Sequence, residues 1–225
     1  MPKRKVIFAN QYYYHVFNRS INKEPIFIRY KECQRALNTL VYYRFLNPRV
    51  RLSYFLAKGY ETRKEILKSL SQHPQIVKIL AFCLMPNHFH LILHQTEENG
   101  ISKFVSQFQN SYTRYFNTKN ERSGHVFQGQ FKAVLIEDEK QLLHLTRYLH
   151  LNPYSSLVVK NLEDLENYPY SSLSEYLKIS QNPDSFVTTE LVLSFFSGPK
   201  AYKKFVYERA DYQKSLEKIK HLLLE

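Results

Sequence analysis

Cysteine is nearly missing from the chain. Only Cys33 and Cys83 occur among 225 residues, far apart and without zinc-finger spacing. That excludes a small disulfide-stapled scaffold and fits a reducing, cytoplasmic interior. Long apolar runs are missing as well. No stretch approaches the ~18 residues of a membrane span, and Met1-Pro2-Lys3-Arg4-Lys5 leads into no apolar run of signal-peptide length. A soluble, cytoplasmic protein with no membrane partner is therefore expected. Acidic residues are scarce: 20 Asp and Glu face 32 Lys and Arg, a formal net charge of +12. Such a surplus favours a polyanionic partner, nucleic acid ahead of an anionic membrane surface; a merely solvated basic surface is the plain alternative. Repeats and low-complexity tracts are absent too. What the chain has in quantity is core material, with 44% hydrophobic residues, 18 Tyr and 16 Phe, which argues against disorder. Its length suits one domain plus an extension, or two small domains.

The stretch Met85-Pro86-Asn87-His88-Phe89-His90-Leu91-Ile92-Leu93-His94 organises the rest. Pro86 and Asn87 form a turn into a strand. Alternation then sends His88 and His90 to one face and Phe89, Leu91 and Leu93 to the core face. Two imidazoles roughly 7 Å apart at Cα can share a metal ion, although a histidine among apolar neighbours is usually just a packed side chain. His94 shares the face but stands about 13 Å from His90, too far to join them.

Upstream, Tyr12 to Phe17 reads as a first strand ending at a turn-like Asn18-Arg19-Ser20, and residues 30–46 as a helix. Residues 50–57 fit no single pattern. Glu61 to Ser71 reads as a short charged helix, and Ile76 to Leu84 as a central strand forming a hairpin with the histidine strand. Ile101 to Thr118 is helical, with Phe104, Val105, Phe108, Tyr112 and Tyr115 at three- and four-residue steps. A loop follows over Lys119 to Gly124. Phe131 to Ile136 reads as a strand and Glu137 to Leu151 as a helix that Asn152-Pro153 should end. Strand, helix, hairpin, helix, strand is the split βαβ order of a ferredoxin-like α/β sandwich, an α+β fold with an antiparallel sheet. The boundaries expected are a domain over 1–160 and a C-terminal extension over 161–225. In the extension, a loop holding Tyr168-Pro169-Tyr170-Ser171-Ser172 leads to helices at 188–196 and 200–224.

Tyr148 and Asn152 are four apart on one face of the helix at 137–151, with His144 a turn before them. Leu142, Leu145 and Leu149 form the neighbouring stripe, suited to packing on the sheet. By themselves these residues are unremarkable, since a helical tyrosine is usually core and an Asn before Pro is often only a helix stop.

Several ordered motifs add a resemblance. Phe82-Cys83-Leu84-Met85-Pro86-Asn87-His88-Phe89-His90-Leu91-Ile92 is similar to the histidine-hydrophobe-histidine core of the single-tyrosine HUH transposases. Arg147-Tyr148-Leu149-His150-Leu151-Asn152-Pro153 resembles the tyrosine motif of their REP-associated branch, the RAYT proteins. Gly124-His125-Val126-Phe127-Gln128-Gly129-Gln130-Phe131 and His15-Val16-Phe17-Asn18-Arg19 also look like that branch. Many relatives carry Arg-Gly where this chain has Asn18-Arg19-Ser20. The resemblance spans roughly residues 8 to 175. It implies a ferredoxin-like fold and a tyrosine nucleophile cutting single-stranded DNA beside a divalent metal. Residue by residue, it makes His88 and His90 metal ligands, Tyr148 the nucleophile and Asn152 the amide ligand.

Two neutral imidazoles and an amide leave coordination positions open for phosphate oxygen and water. Mg²⁺ or Mn²⁺ is then expected, with Zn²⁺ a competitor. The function expected is a single-stranded DNA endonuclease and strand transferase, acting on hairpin or palindromic DNA through a 5′-phosphotyrosine. The alternatives are a non-catalytic DNA-binding regulator of the same fold and a metal hydrolase with another third ligand. Arg114, Tyr112, Arg122, Gln128 and Gln130 are the candidate nucleic-acid contacts, the plain reading being a solvated helix face and loop. Neither monomer nor homodimer is indicated.

Overall fold

The computed structural model describes residues 6–48, 50–178 and 185–223, with side chains as far as residue 216. The basic start at residues 1–5 and the expected helix end at residue 224 lie outside the described residues. Along the chain come β1 (Tyr13–Arg19), α1 (Tyr30–Tyr43), α2 (Leu52–Leu56), α3 (Tyr60–Leu70), β2 (Val77–Met85), β3 (His88–Gln95), α4 (Gly100–Lys119), β4 (Lys132–Ile136) and α5 (Glu139–Ser155). Four strands make one sheet in the order β2-β3-β1-β4, with every neighbouring pair antiparallel. This is the split βαβ arrangement that the element order predicts.

Alternation divides the sheet into two faces. Tyr14 and Val16 of β1 and Phe89, Leu91 and Leu93 of β3 join Cys33, Ala36 and Leu40 of α1 and Phe104, Val105 and Phe108 of α4 in one core. Cys83, Met85 and Ile92 join Leu142 and Leu149 of α5 in a second core on the opposite face. The apolar run in β2 serves both, because a bulge between Ile79 and Ala81 lets Leu80 and Ala81 both join the second core. Helix α4 can start where it does because residue 100 is glycine: a Cβ there would collide with the carbonyl oxygen of Ile76. Gly100→Ala should therefore lower stability by roughly 2 kcal/mol, seen as a lower urea midpoint; an unchanged midpoint would contradict this packing.

The extension adds α6 (Leu173–Tyr176), α7 (Glu190–Leu193), α8 (Pro199–Tyr207) and α9 (Ala210–Leu223). It shares the second core with α5 through Leu173, Tyr176, Val192, Tyr202, Val206 and Ala210. Its Tyr-Pro-Tyr-Ser-Ser loop runs along the edge of β2: Leu84 N–H donates to Tyr170 O (2.8 Å) and Ser172 N–H to Phe82 O (3.0 Å). An edge that would otherwise expose unpaired backbone is thereby covered.

Residues 50–57, which fit no single pattern in the sequence, contain the short helix α2. Two expectations need correction. Helix α5 does not stop at Asn152 but runs through Pro153 to Ser155. Proline lacks only the N–H that would bond to Leu149 O; Asn152 O still accepts from Ser156 N–H (3.0 Å) and Pro153 O from Val159 N–H (2.9 Å). The single helix expected over 200–224 is broken after Tyr207.

Candidate active site

The hairpin turn at Pro86-Asn87 is held from outside. Ile26 N–H and Phe27 N–H both donate to Pro86 O (2.7 and 2.9 Å), and Ser20 N–H donates to Asn87 O (2.8 Å). Asn18 and Arg19 are therefore the last residues of β1 rather than a turn, with Arg19 opposite His88. Side chains of paired residues project to the same side, so Arg19, Phe17 and His15 stand beside His88, His90 and Ile92 on the α5 face.

Four aromatic rings of this face converge. His88 and His90 lie 5.0 Å apart, ring centre to ring centre, with their planes nearly perpendicular. Tyr148 meets His90 edge to face at 5.7 Å and His15 at 6.4 Å. Helix α5, which carries Tyr148, is capped by Asp138, whose carboxylate accepts from Gln141 N–H (2.6 Å). With Leu142 and Leu149 buried on the sheet, the residue preceding Leu149 turns towards the histidines. The tyrosine and the histidine pair thus come together within one chain. Asn152 is buried one turn further along, and its amide nitrogen has no hydrogen-bond partner. His94 is apart from the group, stacked on Tyr13 at 4.5 Å.

His88 Nδ1 donates to Asn87 Oδ1 (2.6 Å), while Asn87 Nδ2 donates to Lys23 O (3.2 Å). That pair of bonds fixes the ring tautomer and leaves the lone pair of His88 on Nε2. Burial, with a smaller contribution from the Arg19 charge, pushes the His88 pKa down to about 4, so the ring is neutral near pH 7. His90 Nδ1 shares a hydrogen bond with His15 Nε2 (2.9 Å). Burial likewise lowers His15 to about 4. Among the described residues no group of three or more His, Cys, Asp or Glu side chains could hold a metal ion. A metal here would need the Asn152 amide and oxygens from elsewhere.

His15 is a site residue beyond those that the sequence motifs point to, although alternation along the first strand sets it on the same face as Arg19.

The nucleic-acid candidates separate. Gln128 and Gln130 are exposed in a turn tied to β1 by Gln128 N–H to Arg19 O (2.8 Å), at the His88 end of the site. Arg122 is held in an ion pair with Glu24. Arg114 is exposed on α4, in the layer across the sheet from the histidines. Tyr112 is a correction: it is fully buried among Phe27, Phe108 and Phe127, and its hydroxyl donates to Ile26 O. No base can stack on it.

Two residues after Tyr148, on a different side of α5, His150 is wholly buried between Tyr202 Oη (2.7 Å from Nδ1) and Ser172 Oγ (2.8 Å from Nε2), joining α5 to the extension. Burial lowers its pKa to about 3. His15 and His150 are thus depressed below the unfolded value near 6.5, and between these limits the unfolded chain binds more protons. Their stabilisation is complete above about pH 6.5 and is lost as pH falls towards 4 and below, about 3 kcal/mol for His15 and about 5 kcal/mol for His150. Urea unfolding at pH 7 and pH 5 should show this fall; equal midpoints would contradict it.

Comparisons with known proteins bear on the family and the fold. The family model described as "Transposase IS200 like" matches residues 36–152, just over half of the chain. A Haemophilus influenzae protein that carries the name of the REP-associated tyrosine transposases is 25% identical over 117 residues. The match covers 48% of this chain and 65% of that protein, less than two thirds of the relative's length. The solved structure of a REP-associated tyrosine transposase bound to a REP hairpin is similar with a TM-score of 0.53 and 15% identity, over 88% of this chain and 97% of that one. At that identity the likeness establishes the fold. Among the described residues no helix is long and apolar enough to cross a membrane.

Proposed function

The chain belongs to the IS200-like transposase family, and from that premise we propose that it is a metal-dependent endonuclease and strand transferase for single-stranded DNA. Its substrate is a hairpin or imperfect palindrome with single-stranded flanks. The observation that carries this reading is the contact of Tyr148 with His90, at 5.7 Å ring centre to ring centre, on the face that also holds His88.

The residues present fit a divalent metal, Mg²⁺ or Mn²⁺. His88 offers Nε2, and His90 offers Nε2 when its Nδ1–H donates to His15. The buried Asn152 amide has an unpartnered nitrogen, so nothing holds that end against turning its oxygen to an ion. Two imidazole nitrogens and an amide oxygen bring no carboxylate charge, which suits an ion that must also take phosphate oxygens. When bound, the ion supplies a Lewis acid that polarises the scissile phosphate.

The chain's own part is to present a phenol in line with that phosphate. The Tyr148 oxygen bonds to phosphorus as the bond from phosphorus to the 3′ oxygen breaks. The phenol gives up its proton, the 3′ oxygen gains one, and the products are a 5′-phosphotyrosine and a free 3′-OH. Rejoining reverses these steps with a new 3′-OH, so no nucleotide cofactor is required. The basic surface supplies affinity for the backbone, and Gln128 and Gln130 stand where a strand entering at the His88 end would pass.

Incubation of the protein with a flanked DNA hairpin and Mn²⁺ should yield a species that migrates as protein plus DNA after denaturation. Its absence across hairpins of varied flank and loop would overturn the reading.

A further inference from the structure

A cleft of about 410 Å³ opens beside Tyr148, between α5 and α9. Its walls are His144, Arg147 and Tyr148 from one side, and Arg209, Tyr212, Gln213 and Leu216 from the other. It exists because the extension docks on α5: Gln213 Nε2 donates to Tyr148 O (3.1 Å) and to Ser155 Oγ (3.3 Å). The floor of the cleft is therefore tied to the backbone of Tyr148 itself.

Two kinds of chemistry meet in this cleft. The first is unrelieved positive charge. Arg147 is fixed by three contacts: Nη2 donates to His144 Nδ1 (2.6 Å), Nη1 donates to Phe205 O (3.4 Å), and the guanidinium lies over the Phe205 ring at 4.4 Å. Other N–H groups of the same guanidinium are left for a ligand. Among the described residues neither Arg147 nor Arg209 is in an ion pair. Burial is the first influence against the charge on Arg147 and against protonation of His144; after it, Arg209 acts on Arg147, and Arg147, Lys140 and Arg209 act on His144. The opposing carboxylates are few: Glu208 acts on Arg147 but also sits 4.0 Å from Lys204, and Asp138 acts on His144. An anion in the cleft would relieve that repulsion. The second kind is exposed apolar surface. Tyr212 is 60% exposed and Leu216 is 41% exposed, although both line the cleft. An exposed ring next to paired guanidinium groups is the equipment for a base and its phosphate.

We propose that this cleft seats a nucleotide of the single-stranded flank next to the scissile phosphate, with Arg147 and Arg209 on the backbone phosphate and Tyr212 and Leu216 against the base. The inference rests on the reading of Tyr148 as nucleophile, and it gives the C-terminal extension a part in substrate choice. The volume lies within the range of small-ligand sites, large enough for one nucleotide and too small for a duplex. The cleft thereby discriminates between flanked and bare hairpins, which the sheet face by itself does not.

The test compares wild type, Arg209→Ala and Tyr212→Ala in metal-free buffer, by fluorescence anisotropy. The ligands are a hairpin with a single-stranded flank, the same hairpin without it, and the flanked hairpin carrying one abasic site at each flank position in turn. Both substitutions are on exposed side chains, and matching thermal midpoints establish that the variants are folded. Wild type should favour the flanked hairpin, and each variant should lose roughly tenfold on that ligand and nothing on the bare hairpin. One abasic position should weaken wild type by a similar factor and leave Tyr212→Ala unaffected, the non-additivity expected of a direct contact. Arg209→Ala should also lower the salt dependence of flanked binding by about one counterion. Variants that bind the flanked hairpin like wild type, or that lose equally on both hairpins, overturn the proposal, as does a wild type indifferent to the flank. Binding is measured here without cleavage, so the cleft stands or falls separately from the nucleophile. Flank-specific losses combined with absence of any covalent adduct would retain the cleft and remove the chemistry assigned to Tyr148.

Discussion

Tyr148→Phe removes the covalent protein–DNA species, by more than about a thousand-fold, and leaves fold and hairpin affinity unchanged. The substitution deletes one oxygen. The ring keeps its edge-to-face position against His90 and His15, and the backbone carbonyl still accepts from Gln213. Helix α5 loses none of its core contacts through Leu142 and Leu149. What disappears is the atom that bonds to phosphorus, so only binding and phosphate polarisation remain to help water attack. Of 18 tyrosines, the nearest rivals are Tyr112 and Tyr115 on α4. Tyr112 is sealed in the other core and Tyr115 packs against that same core, across the sheet from the histidines. Denaturing gel electrophoresis of the reaction with labelled DNA measures the effect. An adduct at wild-type level in the folded variant would mean that another residue is the nucleophile.

His88→Ala and His90→Ala each reduce cleavage by more than about a hundred-fold, since several kcal/mol of transition-state stabilisation go with a lost ligand. DNA affinity should stay within about twofold, because affinity comes from the basic surface and salt-dependent counterion release. His88 is neutral near pH 7, so its removal leaves the +12 charge balance untouched. The two variants differ in one respect. His90→Ala also leaves His15 Nε2 without its partner inside the protein, and should cost more stability than His88→Ala, whose partner Asn87 lies in a turn. Mn²⁺ titration followed by electron paramagnetic resonance supplies a readout independent of activity: both variants should bind the ion more weakly. Near-wild-type cleavage by the folded double variant would contradict the metal assignment.

Much of this arrangement is legible in the sequence wherever a single period rules. Strict alternation over residues 88–93 separates the histidines from Phe89, Leu91 and Leu93, and the sheet keeps that separation. Four-residue spacing sets Tyr148 and Asn152 on one helix face. What the pattern hides is of two kinds. The first is continuity of burial across a change of backbone. Tyr202, Val206, Ala210 and Gln213 keep helical spacing over the break between α8 and α9, so the break leaves no trace in the pattern. Pro153 misleads in the opposite direction, because a helix tolerates one lost hydrogen bond in its last turns. The second is long-range contact. Nothing local reveals that the loop at 168–172 seals the edge of β2, or that α9 is tied to the backbone of Tyr148. Tyr112 was readable: it continues the stripe of Phe104, Val105 and Phe108, and a tyrosine on such a stripe belongs in the core unless its hydroxyl lacks a partner.

The most direct test of the account is to map the adduct itself. Wild-type protein is reacted with a flanked DNA hairpin and Mn²⁺, denatured, digested with nuclease and protease, and sequenced by tandem mass spectrometry. The account predicts a single modified peptide spanning the run from Arg147 to Pro153, with a 5′-phosphorylated nucleotide on Tyr148. A nucleotide on any other tyrosine, or linkage through a 3′-phosphate, would contradict it.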